Sequence, residues 1–157
     1  MRHTRAEVIR RATLEFKRLD RLVARLTAAQ WKTPVPRAET KDPWTVKDAL
    51  AHITFWKSGV THSALGQRRP PESRLNITDG NHLIYVRWRR RSPKEVLAWH
   101  RQVHKDLLAA LREAPDAWFN RPSRGPDWPF DLDGHSADHR VRDIQRALKP
   151  RKKELQP

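Results

Sequence analysis

The chain has 157 residues, no cysteine, and 33 lysines and arginines against 18 acidic residues, a formal net charge of +15. That length suits one domain with a single sizeable core, and the lack of cysteine excludes disulfides and thiolate metal sites, leaving histidine and carboxylate as the only strong metal ligands. No apolar run reaches the roughly 20 residues of a membrane span, and Met-Arg-His-Thr-Arg lacks the apolar core of a signal peptide, so a cytoplasmic location is expected.

Thr4 and Glu7 form a capping box, after which Val8, Ala12, Phe16, Leu19, Val23 and Leu26 recur at three and four residues. This predicts an amphipathic first helix over about 4–28, whose outer face, from Arg10 to Arg25, is basic and reads as solvated. Pro34, Pro36 and Pro43 then break the chain into a loop, under which Trp31 is expected to pack.

The second helix is predicted over 45–65, capped by Thr45 with Asp48 three residues on. At about 100° per residue, Val46, Ala49, Ile53, Trp56 and Val60 form one apolar stripe. His52 falls at its edge, either as a hydrogen-bonded core-rim histidine or as a ligand. A proline-bearing connection follows, then Asn76 to Tyr85 and the basic run Arg87-Trp88-Arg89-Arg90-Arg91. That run is the best nucleic-acid candidate in the chain, with arginines for phosphates and an indole for stacking; a solvated turn before a helix explains the same residues more cheaply.

Ser92, Pro93 and Glu95 mark the start of a third helix over 92–113. Val96, Val103, Leu107 and Leu111 set its stripe, with His100 near the middle and His104 beside it, placed either as interior hydrogen-bonded histidines or as an acid–base pair. Four prolines between Ala114 and Asp133, with Trp118, Phe119, Trp128 and Phe130, predict a lid over the bundle. A final helix is expected over 134–149, stopped by Pro150, with residues 150–157 as a basic tail.

Three stretches together carry a resemblance. Trp44-Thr-Val-Lys-Asp-Ala-Leu-Ala-His52-Ile-x-x-Trp56, the pattern Asn-x-x-Ile-Tyr85 before the third helix, and Gly134-His135-Ser-Ala-Asp-His139-Arg-Val-Arg-Asp143 in the last helix resemble the DinB-like (YfiT-like) metalloprotein superfamily, most of all its ClbS/DfsB type. The resemblance implies an all-α, up-down-down-up four-helix bundle over 1–149, with a long crossover between helices two and three. It also implies a metal-dependent enzyme acting on a small, electrophilic molecule, either by transfer to a low-molecular-weight thiol or by hydrolysis.

The divalent metal, zinc, nickel or manganese, would be held by His52 and His139, with the third ligand either Asp143 or His135. Ligands four apart share a helix face, and both pairings have that spacing. The apolar stripe Ala137, Val141, Ile144 and Leu148 centres well away from all three of these last-helix residues, with Asp143 nearest. Asn81 and Trp56 are the expected cofactor contacts, and His104, His100 and Tyr85 the candidates for proton transfer. A homodimer is expected. The rival reading is a metal-free stress-response or binding protein that uses its basic surface on nucleic acid, or a bundle that has lost catalysis.

Overall fold

A computed structural model describes residues 3–35, 41–68, 70–121 and 141–149. Among them are seven α-helices and one 3₁₀ turn: α1 (Arg5–Val23), α2 (Ala28–Trp31), α3 (Val46–Ala64), the 3₁₀ turn (Pro71–Arg74), α4 (Ile77–Trp88), α5 (Pro93–Glu113), α6 (Asp116–Phe119) and α7 (Arg142–Leu148). The all-α architecture expected from the periodicity is the one observed.

Each long helix starts where a side chain can satisfy its free amides. The Thr4 hydroxyl accepts from the Glu7 N–H at 3.2 Å. Ser92 accepts from Glu95 N–H while the Glu95 carboxylate takes the Ser92 N–H and O–H. These bonds hold the Glu95 carboxyl down at about 2, the Ser92 backbone N–H being the main cause. At α3 the Asp48 carboxylate receives both the Thr45 N–H, at 3.0 Å, and the Thr45 hydroxyl, at 2.7 Å.

The entry to α3 is pinned further by a short antiparallel pairing. Val46 N–H donates to Thr33 O and Val35 N–H to Trp44 O, with an isolated bridge between Pro34 and Thr45. This pairing folds the proline loop back on the helix start and buries Trp31, Val35 and Trp44 together. The first helix therefore ends earlier than expected. Thr27 and Gln30 form a capping box of their own, so α1 stops at Val23 and α2 begins as a separate turn.

The α3 helix is central: residues 46–55 are all buried. It packs along α5, and also meets α4, α2 and α7, while α1 lies against α5. Gly66, at φ 68°, turns the chain away after its end. The crossover is more regular than the sequence suggests, because Asn76 accepts from Asp79 N–H and starts the three-turn helix α4. Asn81 lies inside that helix.

Two apolar cores result. One joins Leu19 and Val23 of α1, Val46, Leu50 and Ile53 of α3, Val96 of α5, and Val141 and Ile144 at α7. The other joins Val8, Ala64, Leu107 and Leu111 with Trp118 and Phe119 of α6. Thus α1 runs one way along the bundle, and α3 and α5 run the other. Trp118 and Phe119, at the start of the expected lid, are buried in the second core, with the Trp118 Nε1–H donating to Ser63 Oγ at 3.3 Å; Trp128 and Phe130 lie outside the described residues.

Candidate functional site

His52 sits on the inner turns of α3 and is 1% exposed. Its ring lies 4.8 Å from Trp44 and 6.1 Å from Trp56, between a tilted and an edge-on indole. The rim position expected from the stripe is corrected to an interior one, because α4, α5 and α7 cover faces of α3 that a two-sided bundle would leave open. Trp56 is half-buried beside it.

Asp143 lies on α7, half-buried, one residue before the fully buried Ile144. Since α3 and α7 touch, the helices that carry His52 and Asp143 are neighbours. His139 and His135 lie outside the described residues. Among the described residues, no three His, Asp or Glu side chains gather closely enough to hold a metal.

The proton-transfer candidates divide between two places. Tyr85 packs against the first core, half-buried on α4. Asn81 is buried on the same helix, and its Oδ1 has no hydrogen-bond donor among the described residues.

His100 and His104 belong to a separate polar layer between the two apolar cores. Phe16 stacks on both, 3.7 Å from His104 with ring planes 2° apart and 4.9 Å from His100. Next to them Lys57 of α3 makes a buried ion pair with Glu15 of α1. Burial, followed by the Lys57 charge, pushes the His100 imidazole down to about 3 and His104 to about 4. Both rings are therefore neutral at pH 7, and neither His100 nitrogen has a hydrogen-bond partner among the described residues.

Glu15 and Lys57 were not singled out from the sequence, although a signal was there. Glu15 is seven residues after Val8, and Lys57 four after Ile53, so each charge stands on an apolar stripe where only a buried partner makes it tolerable. A third missed residue is Lys47. Its ammonium donates to the carbonyls of Trp88 and Arg89, each at 2.9 Å, and pairs with Asp48 at 2.8 Å. One side chain thereby closes the C-terminus of α4 and ties it to the start of α3.

The basic run after α4 is largely engaged. Trp88 stacks flat on Trp99 with centroids 3.7 Å apart, Arg87 pairs with Glu72 and Arg91 with Glu95 at 3.0 Å. Arg89 and Arg90 remain exposed.

The fold and its buried histidine thus define an all-α bundle organised on a central helix whose first ten residues are all buried. Residues 12–145 match the model of the mycothiol maleylpyruvate isomerase N-terminal domain, and the chain belongs to that family. This domain is one of the DinB-like (YfiT-like) superfamily, a group of metal-binding bundles that includes mycothiol-dependent enzymes. No curated protein and no solved structure matches the chain. No helix among the described residues is long and apolar enough to cross a membrane.

Proposed function

We propose that the chain is a metal-dependent enzyme that uses a low-molecular-weight thiol on an electrophilic small molecule. The observation that carries this reading is the seat of His52, an imidazole enclosed by two indoles on the most deeply buried helix, beside the helix that bears Asp143. Membership of a family described by a mycothiol-dependent isomerase supports the thiol; the likeness to the ClbS/DfsB type points instead to water as the nucleophile. The family match covers most of the chain, and we favour thiol transfer.

The donor chemistry fits a divalent ion of the zinc, nickel or manganese kind, since only nitrogen and oxygen ligands are available. His52 and His139 would hold it, with Asp143 or His135 completing the set. When bound, such an ion lowers the pKa of a thiol or water and supplies a nucleophile at neutral pH. Trp44 and Trp56 fix the orientation of the His52 ring and keep bulk water from it. Asn81 supplies a carbonyl oxygen from α4 for a polar group of the cofactor or substrate, and Tyr85, on the same helix, is the proposed proton donor. His100 and His104 are both held by Phe16 and depressed by burial and then by the Lys57 charge, so we assign them to the bundle's interior rather than to the reaction.

The test is elemental analysis of tag-free protein, beside His52→Ala, His139→Ala, Asp143→Ala and His135→Ala variants. Near-stoichiometric metal that vanishes in the first two and in one of the last two is the expected result. A native protein that holds no metal even after loading, with its fold intact by circular dichroism, overturns the reading.

A further inference from the structure

The outer face of α1 and the adjoining face of α7 form a single cationic trough. A groove of about 530 Å³ is lined by Leu14, Lys17, Arg18, Arg21, Leu22 and Gln145. A second, of about 560 Å³, is lined by Leu22, Arg142, Gln145, Arg146, Leu148 and Lys149. The two adjoin over Leu22 and Gln145, and neither has a carboxylate in its wall.

The fold itself removes the acids that would neutralise this face. Within the middle of α1 the only carboxylates are Glu15 and Asp20. Glu15 turns inward to Lys57, and Asp20 is taken by Arg101 of α5, whose Nε donates to it at 2.8 Å. Lys17, Arg18, Arg21, Arg146 and Lys149 are all exposed, and none is in an ion pair among the described residues. In sequence, Arg151, Lys152 and Lys153 follow directly after α7.

We infer that this trough is a docking surface for the phosphate backbone of duplex nucleic acid, bound without sequence preference. Its chemistry chooses among the polyanions. The walls contain no aromatic ring, so they offer no platform for stacking unpaired bases. Their apolar part is three leucines, of which Leu14 is 55% exposed; a helix that lies in a membrane interface presents a wide apolar face with bulky anchors. What remains is a run of long, flexible cations along two helices, the means by which proteins neutralise a regular row of phosphates. This surface is distinct from Arg87–Arg91, where stacking and ion pairing already occupy Trp88, Arg87 and Arg91.

The experiment is fluorescence anisotropy of the full chain with a labelled mixed-sequence DNA duplex over a salt series. It compares the native protein with the triple variant Arg18→Glu, Arg21→Glu, Arg146→Glu and with an equally charged control, Arg89→Glu, Arg90→Glu, Arg112→Glu, on other exposed positions. The expected result is salt-dependent binding that the trough variant weakens about tenfold or more, with a shallower salt slope, while the control changes it by less than about threefold.

Equal losses in both variants, no binding of the duplex at about 150 mM salt, or preference for anionic phospholipid vesicles or an acidic peptide overturns the proposal. Lysine acetylation of the native protein guards against misfolded variants: duplex protects Lys17 and Lys149 but leaves Lys94 and Lys105 reactive if the trough is the surface, and protection spread over all four overturns it.

Discussion

His100 and His104 make the molecule acid-sensitive through burial rather than through a switch. Their folded pKa values, about 3 and about 4, lie below the ordinary 6.5. Protonation is therefore easier in the unfolded chain. The stability they contribute is fully present above about pH 6.5 and declines as pH falls from there toward 4 and 3. Urea midpoints measured between pH 7 and 4 should fall steeply in the native protein. In a His100→Phe, His104→Leu variant, whose side chains cannot take up a proton, the slope should flatten; an unchanged slope assigns the acid sensitivity to other groups. From the sequence, these two histidines read as an acid–base pair as readily as interior residues. What favours the interior reading is burial together with Lys57 and Phe16, which come from two other helices and leave no trace in the spacing of α5 itself.

At the scale of elements, the join between α3 and α4 depends on Lys47. Its ammonium is the donor for two carbonyls at the end of α4, and a Lys47→Met change leaves those acceptors, and part of the Asp48 carboxylate, without their partner. The expected cost is about 1–3 kcal/mol, read by urea denaturation, with faster amide exchange in the last turn of α4. Helix starts were legible in the sequence wherever capping chemistry was local: Thr4, Thr45 and Ser92 each mark an observed boundary, and α3 and α5 fall within a residue of their expected spans. The end of α1 was not, because the apolar spacing runs through Leu26 while the Thr27–Gln30 box that restarts the chain is a three-residue signal. The helix in the crossover was hidden for the opposite reason. Ile77, Leu83 and Val86 are exposed, so α4 lacks a clean apolar stripe; besides Ile84 and Tyr85 on its inner side, it is held by its ends and by the contact of Gly80 with the 3₁₀ turn, where a Cβ would come within 3.2 Å of Glu72 O. Of the proposed site, His52 was legible as a residue of interest from its motif, but its full burial depended on how many elements gather round α3.

At the scale of the molecule, the layer of Glu15, Lys57, His100 and His104 lies between two apolar clusters that are separate among the described residues. Leu50 and Leu111 are both completely buried, one in each, and each Leu→Ala change is expected to cost about 2–5 kcal/mol. Their local effects should differ. Native-state hydrogen exchange should show Leu111→Ala loosening α6 and the C-terminal half of α5, and Leu50→Ala loosening the end that contains Trp44 and His52. Uniform acceleration in both variants would mean that the polar layer is no seam.

That layer also governs where the protein can afford to vary. Its charges are paired between Glu15 and Lys57 and its rings stack on Phe16, whereas the residues beyond them, around Leu107, Leu111 and Phe119, are apolar and fill space. If the layer is a seam, changes of volume at that far end are expected to be absorbed before they reach the histidine between its two indoles. The bundle would then be insulated along its length, one end free to drift, lengthen or acquire a new surface while the other keeps the surroundings of His52.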